Sequence, residues 1–591
     1  MKTQAYPDPS RFDSLVELLD DAAERYPPDR PSLSLHTDEG VTLAWSSHEI
    51  RRRSRLVAWR LRAMGLKSGD RLLTWSPSTP ALPAVYWGAM LAGVTIVPLD
   101  LRMAPAVLRR IADQVEADWL AIGTGLDAPD PVAGGLDHLS RVTIDELVAE
   151  PSGSEGFPSD WESQLAGWPR PTRSDLVEII YTSGTTGRPK GVQLTHSTFL
   201  NTLQVVAVIV PPRPHRLVSF LPLSHLFEQA IVLFYGTMIG AEVAYVRSRT
   251  PRTIFTAMRE LRATTIVAPT QFLQLFWTGL SREVDRQGKR ATFDRLRRIA
   301  RHLPLRARRL LFRSVLAQLG GALTTVATSA AYLPPELQQD WEDLGIRIVQ
   351  GYGSTEAGPV TCNTEQEHPA GVVGRAIRPV QVALAPDSEI LVSGPTVTPG
   401  YWRDPEATAA AFDDEGWYHT GDIGRFDEAG RLVLTGRKKN IIVLPNGLNV
   451  FPEDIESVLA DHGLDQAVVL ETAPGRIEAV VMPPGTMPMV APDRGGQEPR
   501  SAEEEARARH EIERIVDAAN DELAVHQRID AWRMWPERDF PRTHLLKVRR
   551  DPIREWAGAD VPLAVREDHQ RTAVGAGTQG SASPGLGQFA A

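Results

Sequence analysis

The stretch "YTSGTTGRPKGV", residues 181–192, decides how the rest of the chain is read. Most of it is serine, threonine or glycine, and its Lys190 is the only lysine between Lys67 and Lys289. Apolar "VEIIYT" reads as a buried strand and "GVQLTH" as another, so "SGTTGRPK" joins two strands. Such a loop can aim many N–H and O–H donors at one anion, because glycine lets the backbone come close. Lys190 adds a compact positive charge. The spacing differs from the P-loop, which needs four residues between its glycine and Gly-Lys, then Ser/Thr and a helix. Here two residues separate Gly184 from Gly187, Lys190 follows Pro189, and Gly191 follows the lysine. A generic loop of this composition is more often a surface hairpin.

Outward from this loop, strands and helices alternate. Upstream, "DRLLTW" and "VTIVPL" read as buried strands with a helix, "PAVYWGAMLAG", between them, after amphipathic helices in "LVELLDDAAERYP" and "EIRRRSRLVAWRLRAMG". Downstream, "HRLVSFLPL", "AEVAYV", "TTIVAP" and "IRIVQGYG" continue the rhythm. The expectation is a large α/β N-terminal domain, 1–436, with mixed and parallel sheets covered by helices. After Gly436 the pattern changes to a small α+β C-terminal domain, 437–560, with a Pro/Gly/Glu-rich insertion at about 484–510. Low-complexity "AVGAGTQGSASPGLGQFAA" predicts a disordered tail over 561–591.

Composition narrows the function classes. The 591 residues are 42% hydrophobic and 23% charged, with a formal net charge of −10, which argues against nucleic acid as a partner. The single cysteine, Cys362, allows neither an internal disulfide nor a cysteine zinc cluster. The N-terminus shows no apolar signal core, and the longest apolar neighbourhood, 217–246, is broken by His225, Glu228 and Glu242. The reading is a cytoplasmic protein. Arginine is the default cation: the lysines are Lys2, Lys67, Lys190, Lys289, Lys438, Lys439 and Lys547. A lysine that persists in such a chain suits a place needing a mobile point charge.

The string at 181–192 closely resembles the phosphate loop of the adenylate-forming superfamily, which includes acyl-CoA synthetases, peptide-synthetase adenylation domains and beetle luciferases. Further stretches resemble that family in its order: "LPLSHLFEQ" (221–229), "GYGSTEAGPV" (351–360), "YHTGDIGRFDEAGRLVLTGRKKNIIV" (418–443), "NGLNVFPEDIES" and "PRTHLLKVRR". The resemblance implies a two-step reaction. A carboxylate attacks the α-phosphorus of ATP, giving acyl-adenylate and pyrophosphate; a thiol, usually that of coenzyme A, then releases AMP. It implies that Thr182, Ser183, Gly184, Thr185, Thr186, Gly187 and Lys190 cradle the β- and γ-phosphates. Glu356 would hold Mg²⁺, Tyr352 cover adenine, and Thr355 reach the α-phosphate. Asp422 would accept both ribose hydroxyls and Arg437 would contact ribose or phosphate. Lys439 would be the hinge, Lys547 would enter the site for adenylation, and His225 would stand at the carboxylate end of the acyl site. Taken singly, Asp422 is also a turn aspartate, Glu356 a solvated glutamate and His225 a core histidine.

Two departures stand out. Leu546 occupies the place before Lys547 where the family usually has glycine, and "TSAAYLP" puts Ser329 and Ala330 where it commonly has two glycines. For the acid, "LPLSHLFE" is closest to long-chain fatty acyl-CoA synthetases, so a medium- to long-chain fatty acid is expected. Leu226, Phe227, Phe234 and Tyr235 could line the pocket, but their spacing reads equally as core packing. Residues 282–313 carry twelve Lys/Arg against three Asp/Glu. They read either as a solvated helical face or as a basic amphipathic surface for anionic membrane or an acyl carrier protein. A fatty acyl-adenylate ligase that loads a carrier protein, and a catalytically silent nucleotide- or acyl-binding paralogue, are the competing readings.

Overall fold

The computed structural model describes residues 6–37, 39–125, 128–151, 157–183, 189–247, 250–329, 333–444, 448–473, 475–486, 502–543, 547–558 and 564–565. Two sheets built on the expected βαβ rhythm form the larger part. In the first, strand order is Ser140–Thr143, Trp119–Ile122, Arg71–Trp75, Thr95–Leu99, Leu176–Ser183, Pro189–Thr195. Its neighbours run parallel until the last pair, which is the antiparallel hairpin of the Gly/Ser/Thr stretch. That hairpin therefore lies at a sheet edge. The second sheet has nine strands, and its parallel interior includes Arg216–Ser219, Thr265–Val267, Thr325–Thr328 and Arg347–Ser354.

One apolar core, from Phe12 to Leu432, serves both sheets. Helix Ala81–Leu91 is buried on every side, which explains why its sequence shows no polar face. It packs on helix Ser47–Ala63 so closely that a Cβ at Gly88 would lie 2.5 Å from the Val57 Cβ. A third, antiparallel sheet, Gln381–Leu384, Glu389–Ser393, Tyr418–Phe426 and Leu432–Arg437, brings the later motifs together.

Beyond Leu432 the packing starts afresh. Strands Ala467–Ala473, Arg476–Val481, Ala531–Met534 and Ala564–Val565 form a sheet with a core on each face. The two-residue period assigns them: Val469, Ile477, Ala479 and Val481 enter one core, Val468, Leu470 and Val480 the other. Helix Ala502–Glu522 begins inside the segment expected to be an insertion, with Glu503, Glu504 and Glu505 in its first turn, where the helix dipole favours acids. Residues 487–501 of that segment, and the tail expected at 561–591 apart from 564–565, lie outside the described residues.

Candidate active site

The hairpin expected to receive phosphate pairs Thr182 with Lys190 and Ser183 with Pro189. Gly184, Thr185, Thr186 and Gly187, and the Ser183 side chain, lie outside the described residues. A third segment runs along the outer strand: Trp402 N–H donates to Gly191 O at 2.7 Å, Gln193 N–H to Gly400 O at 3.1 Å, and Thr398 Oγ1 to Gln193 O at 2.7 Å. A Cβ at Gly191 would come within 2.8 Å of Ile179 Cγ2 and 3.0 Å of the Tyr181 ring, so only glycine fits there. This pairing sets Tyr401 beside the loop, with Lys190 Nζ 4.8 Å from its ring centroid, a cation–π contact.

Glu356 sits in the turn after strand Arg347–Ser354, with half-buried Thr355 beside it. Its backbone carbonyl accepts from Thr398 N–H at 2.7 Å. Its Oε1 accepts from Thr182 Oγ1 at 3.3 Å and Tyr401 Oη at 3.4 Å. The Tyr418 phenol lies close to that of Tyr401. Burial, and then the Glu356 charge, push the Tyr401 phenol up, so it stays a neutral donor. The donor set fits Mg²⁺: a half-buried carboxylate next to the hairpin, which among the described residues makes only long hydroxyl contacts. Mg²⁺ takes one or two carboxylates and completes its shell with water and phosphate oxygens. Among the described residues no cluster of three or more His, Cys, Asp or Glu could hold a metal by itself.

Antiparallel pairing of Asp422 with Arg437 builds the next part of the site. Arg437 Nε lies 3.0 Å from Asp422 Oδ1, and Tyr352 Oη donates to Asp422 Oδ2 at 2.8 Å. Both carboxylate oxygens thus already hold protein donors, so ribose hydroxyls would share them rather than find them open. The Tyr352 ring is pinned through its hydroxyl; burial, then the Asp422 charge, hold that phenol protonated. Lys547 closes this side. Burial pushes its ammonium down to about 8, the Arg437 charge pushes the same way, and the Asp422 charge opposes them. Thr543 N–H donates to Lys547 O at 2.7 Å and Lys547 N–H to Thr543 Oγ1 at 3.2 Å, which fixes its backbone. Leu546 lies outside the described residues.

Glu389 supports the Asp422 loop from behind. Its Oε1 accepts from Gly421 N–H at 2.9 Å; its Oε2 lies 3.1 Å from His419 Nδ1 and accepts from Lys438 Nζ at 2.9 Å. Burial alone would raise this carboxyl; Lys438, His419 and the Gly421 amide outweigh it and hold it below its usual range. Lys438 also meets Asp387 at 2.7 Å. Lys439, the expected hinge, is exposed in the 3₁₀ turn Lys438–Asn440, between the first core and the next.

At the acyl end, His225 precedes the short helix Leu226–Glu228 and the π-helix Gln229–Tyr235. Its Nε2 is 3.4 Å from Asp100 Oδ2, and Ser224 Oγ approaches the same oxygen at 3.4 Å. Asp100 is buried and accepts Arg102 N–H at 2.8 Å. Two of the candidate pocket walls are core instead. Phe234 is fully buried, edge-on to Phe199 at 4.8 Å and Trp87 at 5.2 Å, and buried Tyr235 donates to Val210 O. Phe227 is half-buried and Leu226 is buried. Ser329 follows strand Thr325–Thr328, while Ala330 lies outside the described residues.

A profile of the AMP-binding enzyme family matches residues 19–402. The chain belongs to the AMP-binding enzyme family. It is 29% identical over 475 residues to a long-chain-fatty-acid–CoA ligase of Mycobacterium bovis, covering 75% of this chain and 77% of that one. It is also 29% identical over 448 residues to a feruloyl-CoA synthase of Amycolatopsis, covering 73% and 81%. Its fold matches ATP-bound MatB from Rhodopseudomonas palustris with a TM-score of 0.67 at 21% identity, over 93% of this chain and 99% of that one. The resemblance of the motifs and the expected large α/β region with a smaller C-terminal part agree with these matches.

Sequence reasoning missed four residues of this AMP-binding enzyme: Asp100, Glu389, Tyr401 and Tyr418. Asp100 carried a usable signal, an acid directly after the buried strand Thr95–Leu99, because open α/β sheets place ligands outside the carboxyl ends of their strands. Tyr418 stood inside a quoted motif. Glu389 and Tyr401 carried none, since their partners lie far away in sequence.

Proposed function

We propose that this enzyme activates a medium- to long-chain fatty acid with ATP and transfers the acyl group to coenzyme A. Its class, an AMP-forming acyl-CoA ligase, follows from the family and from relatives named as CoA ligases. In the first step the acid's carboxylate oxygen bonds to the α-phosphorus and pyrophosphate leaves. Both partners are anions, so the site must hold like charges together. Lys190 and the hydroxyl-rich hairpin receive the β- and γ-phosphates, Glu356 holds Mg²⁺, and Thr355 reaches the α-phosphate. Mg²⁺, held by Glu356, would supply positive charge to offset that of the phosphates. Asp422, with Tyr352 and Arg437, orients ribose and adenine. Lys547 places an ammonium between carboxylate and nucleotide. In the second step the thiol sulfur bonds to the acyl carbon and AMP leaves, after the unit beyond Lys439 has rotated.

The observation that carries this reading is the Asp422–Arg437 pair, tied to Tyr352, with Lys547 near enough for both charges to act on its ammonium. Acid-dependent exchange of labelled pyrophosphate into ATP tests it, with a panel of C6 to C18 fatty acids and an aromatic acid. Exchange with fatty acids is expected; no exchange by a folded protein that binds ATP overturns the proposal. The panel includes an aromatic acid because the feruloyl-CoA synthase is as similar in sequence as the fatty-acid ligase. Supplying coenzyme A or a carrier protein to preformed adenylate then distinguishes the acceptor. The expected location is the cytoplasm; among the described residues no helix is long and apolar enough to cross a membrane.

A further inference from the structure

The arginines of 282–313 divide into two sets that the sequence does not separate. One set is spent inside the protein. Arg297 pairs with Asp340 and Asp343 and lies 4.9 Å over the Trp277 ring, and Arg301 also meets Asp343, at 3.2 Å. Arg308 donates to the carbonyls of Leu303, Glu342 and Arg301; Arg309 donates to those of Leu323, Gly345 and Gly321. Arg286 and Arg290 hold Glu283 and Asp285. These side chains tie helix ends and loops together.

The other set points out. Arg295, Arg298, Arg306 and Arg313 are exposed, and no hydrogen bond or ion pair to a described residue is found for any of them. Arg295, Arg298 and Ile299 share one face of helix Arg290–Ala300 by their three- and four-residue spacing. Arg306 and Leu310 share a face of the next helix, Leu305–Leu311, and Arg313 follows at the same spacing. Ile299 is 45% exposed, Leu310 72% and Leu311 36%. The two helices pack against each other. In a chain of net charge −10, this is a concentration of unspent cations around bare aliphatic side chains.

We propose that this surface docks the enzyme on an anionic lipid bilayer, with Arg295, Arg298, Arg306 and Arg313 meeting headgroup phosphates and Ile299, Leu310 and Leu311 entering the acyl boundary. Charge complementarity alone would also fit an acidic protein. The aliphatic set decides for lipid: an amphipathic helix binds a bilayer by burying apolar area between cationic anchors. The inference deepens the fatty-acid proposal by naming where such a substrate is met, since long acids partition into bilayers. Its test reads binding only, so the two stand or fall separately.

Flotation with vesicles of about one-third phosphatidylglycerol in phosphatidylcholine, against phosphatidylcholine alone, measures partitioning. The wild type is expected to bind the anionic vesicles and to be released by high salt. The triple variant Arg298→Gln, Arg306→Gln, Arg313→Gln should partition on the order of 100-fold less, because each basic residue near the surface contributes about five-fold. Leu310→Ser should weaken binding by a few-fold at every salt concentration, as loss of buried apolar area does. Unchanged melting temperatures and turnover of a short soluble acid show that the variants are intact. A wild type that ignores anionic vesicles, equal binding by the triple variant, or capture by an acidic acyl carrier protein in place of lipid each overturns the proposal.

Discussion

The two ends of the candidate site are held in opposite ways. At the end expected to bind nucleotide, a charged pair on neighbouring strands of one sheet and a neutral phenol from another are already joined by short contacts: 2.8 Å from Tyr352 to Asp422 and 3.0 Å from Arg437 to Asp422. At the end expected to take the acid, His225 Nε2 and Ser224 Oγ each stand 3.4 Å from Asp100 Oδ2, on the rim of a close-packed core. The first arrangement is a preorganised field, useful where charge develops in the transition state. The second gathers a histidine and a hydroxyl, by longer contacts, around one buried carboxylate. The difference teaches that removing a nucleotide-end charge should strike the chemical step, whereas acyl-end changes should appear chiefly in the response to acid.

The strongest way to break this contrast is Lys547→Ala. Adenylate formation should fall by roughly two to three orders of magnitude, the scale for losing one preorganised stabiliser. Given synthetic acyl-adenylate and coenzyme A, the same variant should make thioester at near wild-type rate. Equal losses in both half-reactions would make Lys547 a structural residue. Glu356→Ala should lower pyrophosphate exchange by roughly 100-fold, with a changed Mg²⁺ dependence, because a methyl group cannot ligate a hard cation. Normal Mg²⁺ dependence would remove the metal role.

Lys439→Pro tests the hinge. A residue fixed in φ cannot absorb a rotation, so adenylate should form while thioester release slows by roughly ten-fold, seen as a burst of adenylate. Asp100→Asn should act more weakly, raising KM for the acid by a few-fold with a smaller change in kcat, since it loosens His225 without touching the nucleotide. A large fall in kcat with unchanged KM would place Asp100 in the chemistry.

The smallest expected effect is on stability. Lys547 is held at about 8 in the folded protein against an ordinary 10.5, so the unfolded chain binds the proton more tightly. Stability therefore rises with pH across that window, and the cost of the buried charge is fully present below it. Lys547→Met should remove this pH dependence and raise the melting temperature slightly at pH 7. Without nucleotide, the ammonium is lost as pH rises through about 8; bound ATP, being anionic, should move the loss of adenylation to higher pH.

Local chemistry made much of this legible. The hairpin, the buried strands and the order of motifs follow from apolar runs and glycine punctuation, which act over a few residues. Ser183, Lys190, Glu356, Asp422 and Lys547 stood out because each lies in a short stretch whose composition is unusual by itself. Asp387 and Glu389 show the opposite case. They look like ordinary turn and strand acids, yet Lys438 meets both, and Glu389 also holds the loop that presents Asp422.

By itself, then, the sequence determined the α/β alternation, the phosphate hairpin, the family and the set of charged residues available for catalysis, because these rest on local spacing and residue type. Only the tertiary structure decided which of them meet. It put Lys547 within reach of the Asp422 and Arg437 charges and laid Tyr401 between Lys190 and Glu356. It decided for core over pocket at Phe234 and Tyr235, and it divided the basic segment into arginines that brace the fold and arginines that face out. The physical reason is that electrostatics and packing act through space over a few ångströms, and residues far apart in the chain share that space only once the sheets have formed.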